Sequence, residues 1–347
     1  MTQTLTPEIN YPEKGRENNT SVLTKAEMES FLKERALDPY EPKYDKETKR
    51  VIGHDPVLIR RDTEQGPVEI LLDPHGAQIL SYKVNGIELI SNIGPYAYPE
   101  EGDDVPRGRA PINFPNSGWT ADGTLPLHGI SERALFTYHG SLEGNEASAI
   151  FSLTGSEMAH ILSRHPDEKI AKQAENIDPE SALFVIHEVD EEGGVTTTLQ
   201  FYDTGENAPG VHPYFLLFGI DSVEAVATQL SNFGIEEDVN EAILGEAITE
   251  NLHLAKQHLQ EQGEWTEDGF LINLDTEGHI QVGLAPLIGF GKDALLIFWS
   301  DENYRLCMEI NTSGFSAIGD KDRETIWTNN QDDVKVVSWR MIGRVWN

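Results

Sequence analysis

Four short stretches carry side chains in settings where chemistry is possible. LPLHGISER (125–133) sets His128 directly before Gly129, where the backbone can turn freely. GVHPYFLL (210–217) sets His212 before Pro213, which biases His212 to an extended conformation and removes the backbone donor that would follow it. CMEIN (307–311) places Glu309 inside an otherwise apolar strand, and EDGFLINLD (267–275) places Asp268 before Gly269. An imidazole that exchanges a proton near neutral pH, combined with a carboxylate whose pKa responds to burial, makes a general acid and a general base. Taken one at a time, each residue also has a structural reading: a hydrogen-bonding histidine at a turn, a solvated glutamate on an outer strand face, a turn aspartate. Eleven histidines form neither HxH nor HExxH, and Cys307 is the one cysteine, so no metal site is expected. Phosphate-cradling glycine loops, dinucleotide fingerprints and the GxSxG elbow do not occur.

The elements that must position these residues are strands. From Val51 onward, PVEILLD (67–73), AQILSYKV (77–84), SAIFSLTG (148–155), ALFVIHEVD (182–190), GVTTTLQFYD (194–203), DALLIFWS (293–300) and VKVVSWRMIGRV (334–345) are short, often alternate, and are separated by glycine, asparagine or proline. No βαβ alternation is visible, which argues for an all-β chain folded as a large antiparallel β-sandwich. Helical insertions are expected at about 156–181 and 222–262. Residues 1–50 read as a polar N-terminal arm with a short helix begun by Thr24 and Glu27, a capping box. Residues 51–347 then form one large domain, a size all-β proteins reach. The net charge of −33, from 26 basic and 59 acidic side chains, disfavours nucleic acid and anionic membranes as partners. A single cysteine and the lack of a long apolar run point to a soluble, cytoplasmic protein, and the charge leaves small neutral ligands open.

Taken together and in order, the motifs resemble the aldose 1-epimerases of the galactose mutarotase-like superfamily, including its hexose-6-phosphate branch. HGAQILSYKVNGIELIS (75–91) is similar to the family's first hairpin, and APINFPNSGWTADGTLPLHGISER (110–133) to the proline-bearing passage leading into its His-Gly motif. GVHPYF resembles the second histidine motif, TEDGFLINLD the segment with a sugar-binding aspartate, and LCMEIN the strand bearing the catalytic carboxylate. The resemblance implies a mutarotase-like supersandwich that interconverts the α and β anomers of a hexose or sugar phosphate. Glu309 would be the base, His212 the acid, and His128 a supporting group at the ring oxygen. Asp268, Asn116 and Arg133 would contact substrate, and Trp119 and Tyr214 would stack on the sugar face. No cofactor is implied. Glu324, in DRETIWTNN, is a second candidate for the base, and Arg107, Arg109 and Arg133 could meet a phosphate. Departures from the family pattern are Ser117 after Asn116, Arg133 one position late, and Pro213 after His212. Two other readings stay open at this level. One is a sugar-binding protein without turnover; the other is a carbohydrate-cleaving hydrolase or lyase, which in the hydrolase case needs a second carboxylate about 5–10 Å from the first.

Overall fold

Stretches rich in valine, isoleucine, threonine and aromatics, bounded by turn residues, suit a pleated surface that is buried on at least one face. A computed structural model shows how they assemble, and it describes residues 20–33, 55–91, 109–118, 120–218, 248–301, 305–314, 317–328 and 333–346, with Val226, Gln229, Leu230 and Phe233. The chain is all-β, with antiparallel ladders throughout and short helices added.

Four strands open the described domain as a meander: β1 (Val57–Thr63), β2 (Gly66–Asp73), β3 (Gln78–Val84) and β4 (Ile87–Glu88). The β3–β4 turn is Asn85-Gly86, with φ of 50° and 81°, the left-handed pair that a two-residue hairpin requires. A six-stranded sheet contains β5 (Ile112–Asn113), β11 (Gly210–Val211), β12 (Tyr214–Leu216), β13 (Ile248–Asn251), β16 (Leu295–Asp301) and β17 (Arg305–Asn311). Its order is β13-β16-β17-β11-β5, and β12 also pairs with β17. A seven-stranded sheet runs in the order β14-β15-β19-β9-β8-β7-β6. Its members are β6 (Thr137–Tyr138), β7 (Ser148–Thr154), β8 (Ala182–Val189), β9 (Val195–Tyr202), β14 (Phe270–Asn273), β15 (Ile280–Ile288) and β19 (Lys335–Val345). The two short strands β10 (Gly205–Asn207) and β18 (Ile326–Thr328) pair with each other.

Side-chain alternation explains how the two large sheets share one core. Leu306, Met308 and Ile310 of β17, with Leu296 and Phe298 of β16, enter the same apolar cluster as Val337, Trp339 and Met341 of β19 and Leu199 and Phe201 of β9. Arg305, Cys307, Glu309 and Asn311 therefore project from the opposite face of the six-stranded sheet. On the seven-stranded sheet the outward side is also covered. Helix α1 (Lys25–Lys33) lies there, with Leu23 and Met28 packed on Ile150, Phe184, Ile186 and Tyr202. Leu23 donates its N–H to Gln200 Oε1 at 2.6 Å and accepts from Gln200 Nε2 at 3.0 Å. This double coverage is why β8 is buried at every position and lacks clean alternation.

The first helical insertion forms α2 (Gly155–Leu162) and α3 (Glu168–Ala171), followed by a 3₁₀ turn at Lys172–Asn176. Thr154 and Glu157 close a capping box on α2. Helix α4 (Leu252–Gln262) is the described end of the second insertion, capped by Asn251 and terminated at Gly263 with φ 75°. Among the described residues, no helix is long and apolar enough to cross a membrane.

Candidate functional site

Strand register creates the central pair. Val211 lies opposite Ile310 and Tyr214 opposite Cys307, so the intervening His212 falls opposite Glu309 in the same antiparallel ladder. His212 Nε2 stands 3.2 Å from Glu309 Oε2. Pro213, lacking an N–H, interrupts the ladder between β11 and β12, while its carbonyl still accepts from Met308 N at 3.2 Å. His212 N donates to Pro111 O at 3.1 Å, and Tyr214 N to Arg109 O at 2.7 Å, so both sides of the histidine are tied to the passage around β5.

Period-two alternation on β17 gives Glu309 its neighbours. Asn311 Nδ2 donates to Glu309 Oε1 at 2.9 Å, which orients the carboxylate while Oε2 faces His212. Cys307 Sγ lies 3.2 Å from His212 Nδ1 and 3.9 Å from Nε2. Burial, and secondarily the Glu309 charge, push the Cys307 thiol well above its ordinary pKa. Glu309 is only 2% exposed, so it is not the solvated outer-face residue that alternation alone allowed. His212, with its side chain 14% exposed, is the more accessible member of the pair.

Gly210 makes room for this arrangement. A Cβ there would run into Asn311 Oδ1 and Ser117 Oγ and come within 2.8 Å of Ile310 O. Asn113 on β5 faces Gly210 in register, on the same side of the sheet as Asn311. Both polar atoms of Asn113, Ser117 Oγ, Asn116 Oδ1 and Asn311 Oδ1 are buried without a hydrogen-bond partner among the described residues. Buried polar atoms in folded proteins are nearly always paired, and each one left unpaired costs about 1–3 kcal/mol. Of these, Asn311 is bonded to Glu309 through its Nδ2, and Ser117 crowds Gly210 beside it.

The second histidine arrives from a different element. His128 has φ 61° in the turn closed by Gly129 N to Pro126 O at 3.0 Å, and Gly129 has φ 74°. Gly129 is forced by contact as well as by φ, because a Cβ would fall 2.9 Å from Pro115 N and 2.5 Å from Phe114 C. Ile130 and Ser131 both donate to Phe114 O, and Arg133 Nη1 donates to Gly129 O at 2.9 Å and Leu127 O at 3.3 Å. Asn116 Nδ2 ties the loop from the other end, donating to Gly118 O at 2.5 Å and Pro126 O at 2.9 Å. The turn presents the His128 ring to His212 edge-on, with centroids 5.3 Å apart and planes at 83°. Tyr214 lies against the other flank of His212 at 4.7 Å, and is itself backed by Trp299 at 6.1 Å and by Arg305 at 5.5 Å.

The structure therefore brings His212, Glu309, His128 and Tyr214 together, with Asn116 and Arg133 holding the His128 turn. It does not bring Asp268 to them. That residue sits at the Thr266–Gly269 turn, bonded to Arg344 and, at 3.3 Å, to Arg340. Arg340 points away from the core-facing Trp339 and Met341, so Asp268 belongs to the outer side of the seven-stranded sheet, with the main core between it and Glu309. Burial of Arg340 alone would lower its pKa, but the carboxylates of Asp190 and Glu192 hold it above its ordinary value. Glu324 is likewise elsewhere: it is exposed and accepts from Lys292 N at 3.0 Å. Arg109 is buried, 3.7 Å from Asp73. Trp119 and Arg107 lie outside the described residues.

Reading by local motif misses Asn311, Cys307, Asn113 and Trp299. The signal for the first two was the two-residue period from Glu309. The others depend on strand neighbours that spacing cannot reveal. The same register gathers His212, Cys307 and Glu309 so that one ligand-type atom from each lies within 4.8 Å of the others, the kind of cation-capable set that a search for HxH spacing passes over.

No family model and no curated protein matches the sequence. Among solved structures, the chain is similar to the Slr1438 protein from Synechocystis sp. PCC 6803, with a TM-score of 0.50 and 14% identity over 90% of this chain and 99% of that one. It is also similar to a galactose mutarotase-like protein from Lactobacillus casei, at 15% identity over 83% of this chain and 100% of that one, with a TM-score of 0.49. For galactose 1-epimerase from Lactobacillus acidophilus the identity is 12%, the coverage 88% and 98%, and the TM-score 0.45. At such identities the likeness concerns the fold alone.

Proposed function

We propose that this chain is an aldose 1-epimerase, interconverting the α and β anomers of a hexose or hexose phosphate by acid–base opening and reclosure of the ring. The observation that carries the reading is the His212–Glu309 pair, 3.2 Å apart on one sheet face, a buried carboxylate against a partly exposed imidazole. Ring opening needs one group to take the C1 hydroxyl proton and another to protonate the ring oxygen. Glu309 Oε2 is the base, because Asn311 fixes the other carboxylate oxygen. His212 is the acid, and its ring is kept from swinging by Tyr214 on one flank and Cys307 on the other. His128, edge-on to His212, supports the ring oxygen as charge develops there. After rotation about C1–C2 the two groups exchange duties and the ring closes on the opposite face of the carbonyl. Each proton transfer of this kind contributes roughly 10²–10⁴-fold.

The order of the five sequence motifs supports a sugar ligand. Asn116 and Arg133 act in this reading mainly by positioning the His128 turn. The test is polarimetry on freshly dissolved α-glucose, α-galactose and glucose 6-phosphate. Accelerated decay of optical rotation with one of them, scaling with protein concentration, is the expected result. Folded protein that leaves all three decays at the buffer rate contradicts the reading for these substrates.

A further inference from the structure

We propose that His212, Cys307 and Glu309 form a three-ligand site for a borderline divalent cation of the Zn²⁺ class. The donors are an imidazole nitrogen, a thiolate sulfur and a carboxylate oxygen, a set that favours zinc or cobalt over magnesium or calcium. Zinc bonds of about 2.0–2.3 Å place neighbouring ligand atoms of a tetrahedral ion about 3.4–3.6 Å apart. In the protein, His212 Nε2 is 3.2 Å from Glu309 Oε2 and 3.9 Å from Cys307 Sγ, values on either side of that spacing. All three ligand atoms lie within 4.8 Å of one another, so small side-chain rotations suffice to close them on an ion.

The scaffold is suited to the task. Cys307 and Glu309 are alternate residues on one face of β17, and His212 is fixed opposite Glu309 by strand register. Asn311, bonded to Glu309 Oε1 at 2.9 Å, serves as the outer partner that orients a ligating carboxylate. Three protein ligands leave a fourth position, and the partial exposure of His212 puts that position on the accessible side. Binding an ion here displaces the Cys307 thiol proton, and the ion then neutralises the resulting thiolate and the neighbouring carboxylate on the same strand face. The binding stands apart from the proposed reaction. Only one consequence rests on it: a loaded ion occupies both members of the acid–base pair and stops anomer exchange.

The experiment is a Co²⁺ titration of the full chain, purified in chelator and then freed of it, followed by absorption spectroscopy and displacement with Zn²⁺. Because Cys307 is the one cysteine, a thiolate-to-cobalt charge-transfer band can have no other cysteine as its source. The expected result is that band, saturating at one ion per chain. It should vanish in Cys307→Ala, and Co²⁺ affinity should fall at least about tenfold in Glu309→Gln, with circular dichroism confirming that both variants fold. Absence of the band in the folded wild-type chain overturns the site, as does Cys307→Ala binding Co²⁺ with undiminished affinity. A chain inactive on every sugar that nevertheless shows the band sinks the epimerase reading and leaves the cation site standing. In an active chain, exchange that proceeds unchanged with the ion loaded overturns the placement at this pair.

Discussion

Replacing Gly129 by alanine, alongside Gly86→Ala, separates two costs that the structure assigns to different causes. Both glycines have positive φ, 74° and 81°, so an alanine at either pays the left-handed penalty of about 1–2 kcal/mol. Part of that is offset by about 0.4–1 kcal/mol from a stiffer unfolded chain. At Gly86 nothing lies within 4 Å of the added Cβ, so the account ends there, near 1 kcal/mol or below. At Gly129 the methyl meets Phe114 and Pro115, 2.9 Å from Pro115 N, and these are backbone atoms that no rotamer change can move aside. Overpacking of that kind adds about 1–3 kcal/mol, and the bonds from Ile130 and Ser131 to Phe114 O must loosen to relieve it. The expected gap between the two variants is therefore about 2 kcal/mol in urea unfolding, read at unchanged m-value. Because the displaced turn carries His128, Gly129→Ala should also lose most of its anomer-exchange activity, while Gly86→Ala keeps it. Two variants equal within about 0.5 kcal/mol and equally active would refute the claim that contact at Phe114 fixes the His128 turn.

Acid should destabilise the fold before its carboxylates are protonated. His75 and His187 have pKa values lowered by burial to about 4. Between that value and about 6.5 the unfolded chain binds protons that the folded chain refuses. Stability is thus full above pH 6.5 and falls by about 3 kcal/mol per histidine as pH drops toward 4, and urea midpoints that stay flat across this window would contradict the assignment. In Gly210→Ala the methyl displaces Asn311 and Ser117, so Glu309 loses its orienting bond; anomer exchange should fall by about tenfold or more with the secondary structure intact. Asp268→Ala should cost about 1–3 kcal/mol of stability through Arg340 and Arg344 while kcat/KM stays within about twofold of wild type. A collapse of kcat/KM at unchanged stability would instead return Asp268 to the proposed sugar site.

Much of the strand framework was legible because alternation and turn chemistry act locally. Asn85-Gly86 marks its hairpin, and Thr24 with Glu27 marks the start of α1. Strand β8 shows what local reading cannot see, since α1 covers its outward face from more than 150 residues away and removes the polar alternation that an open face would keep. The central pair was legible as two residues but not as a contact. His212 meets Glu309 only because two short strands, split by Pro213, pair with β17 in one register. Asp268 shows the opposite failure. Its motif context matched a sugar-binding segment, but two arginines on β19, 72 and 76 residues further on, hold the carboxylate at the other layer of the sandwich. Asn113 and Ser117 carry no signal of their own; only strand register and the crowding at Gly210 place one opposite that glycine and the other against it.

In the proposed reaction His212 and Glu309 work as one acid–base unit. The most direct test of that pairing is exchange NMR on the best sugar substrate with Glu309→Gln, His212→Gln and the double variant, each shown to be folded. Either single change should remove about 10²-fold or more of the exchange rate, and the double variant should be scarcely slower than the singles, as expected when one half of a pair is useless without the other. Two small, independent and additive losses would contradict it.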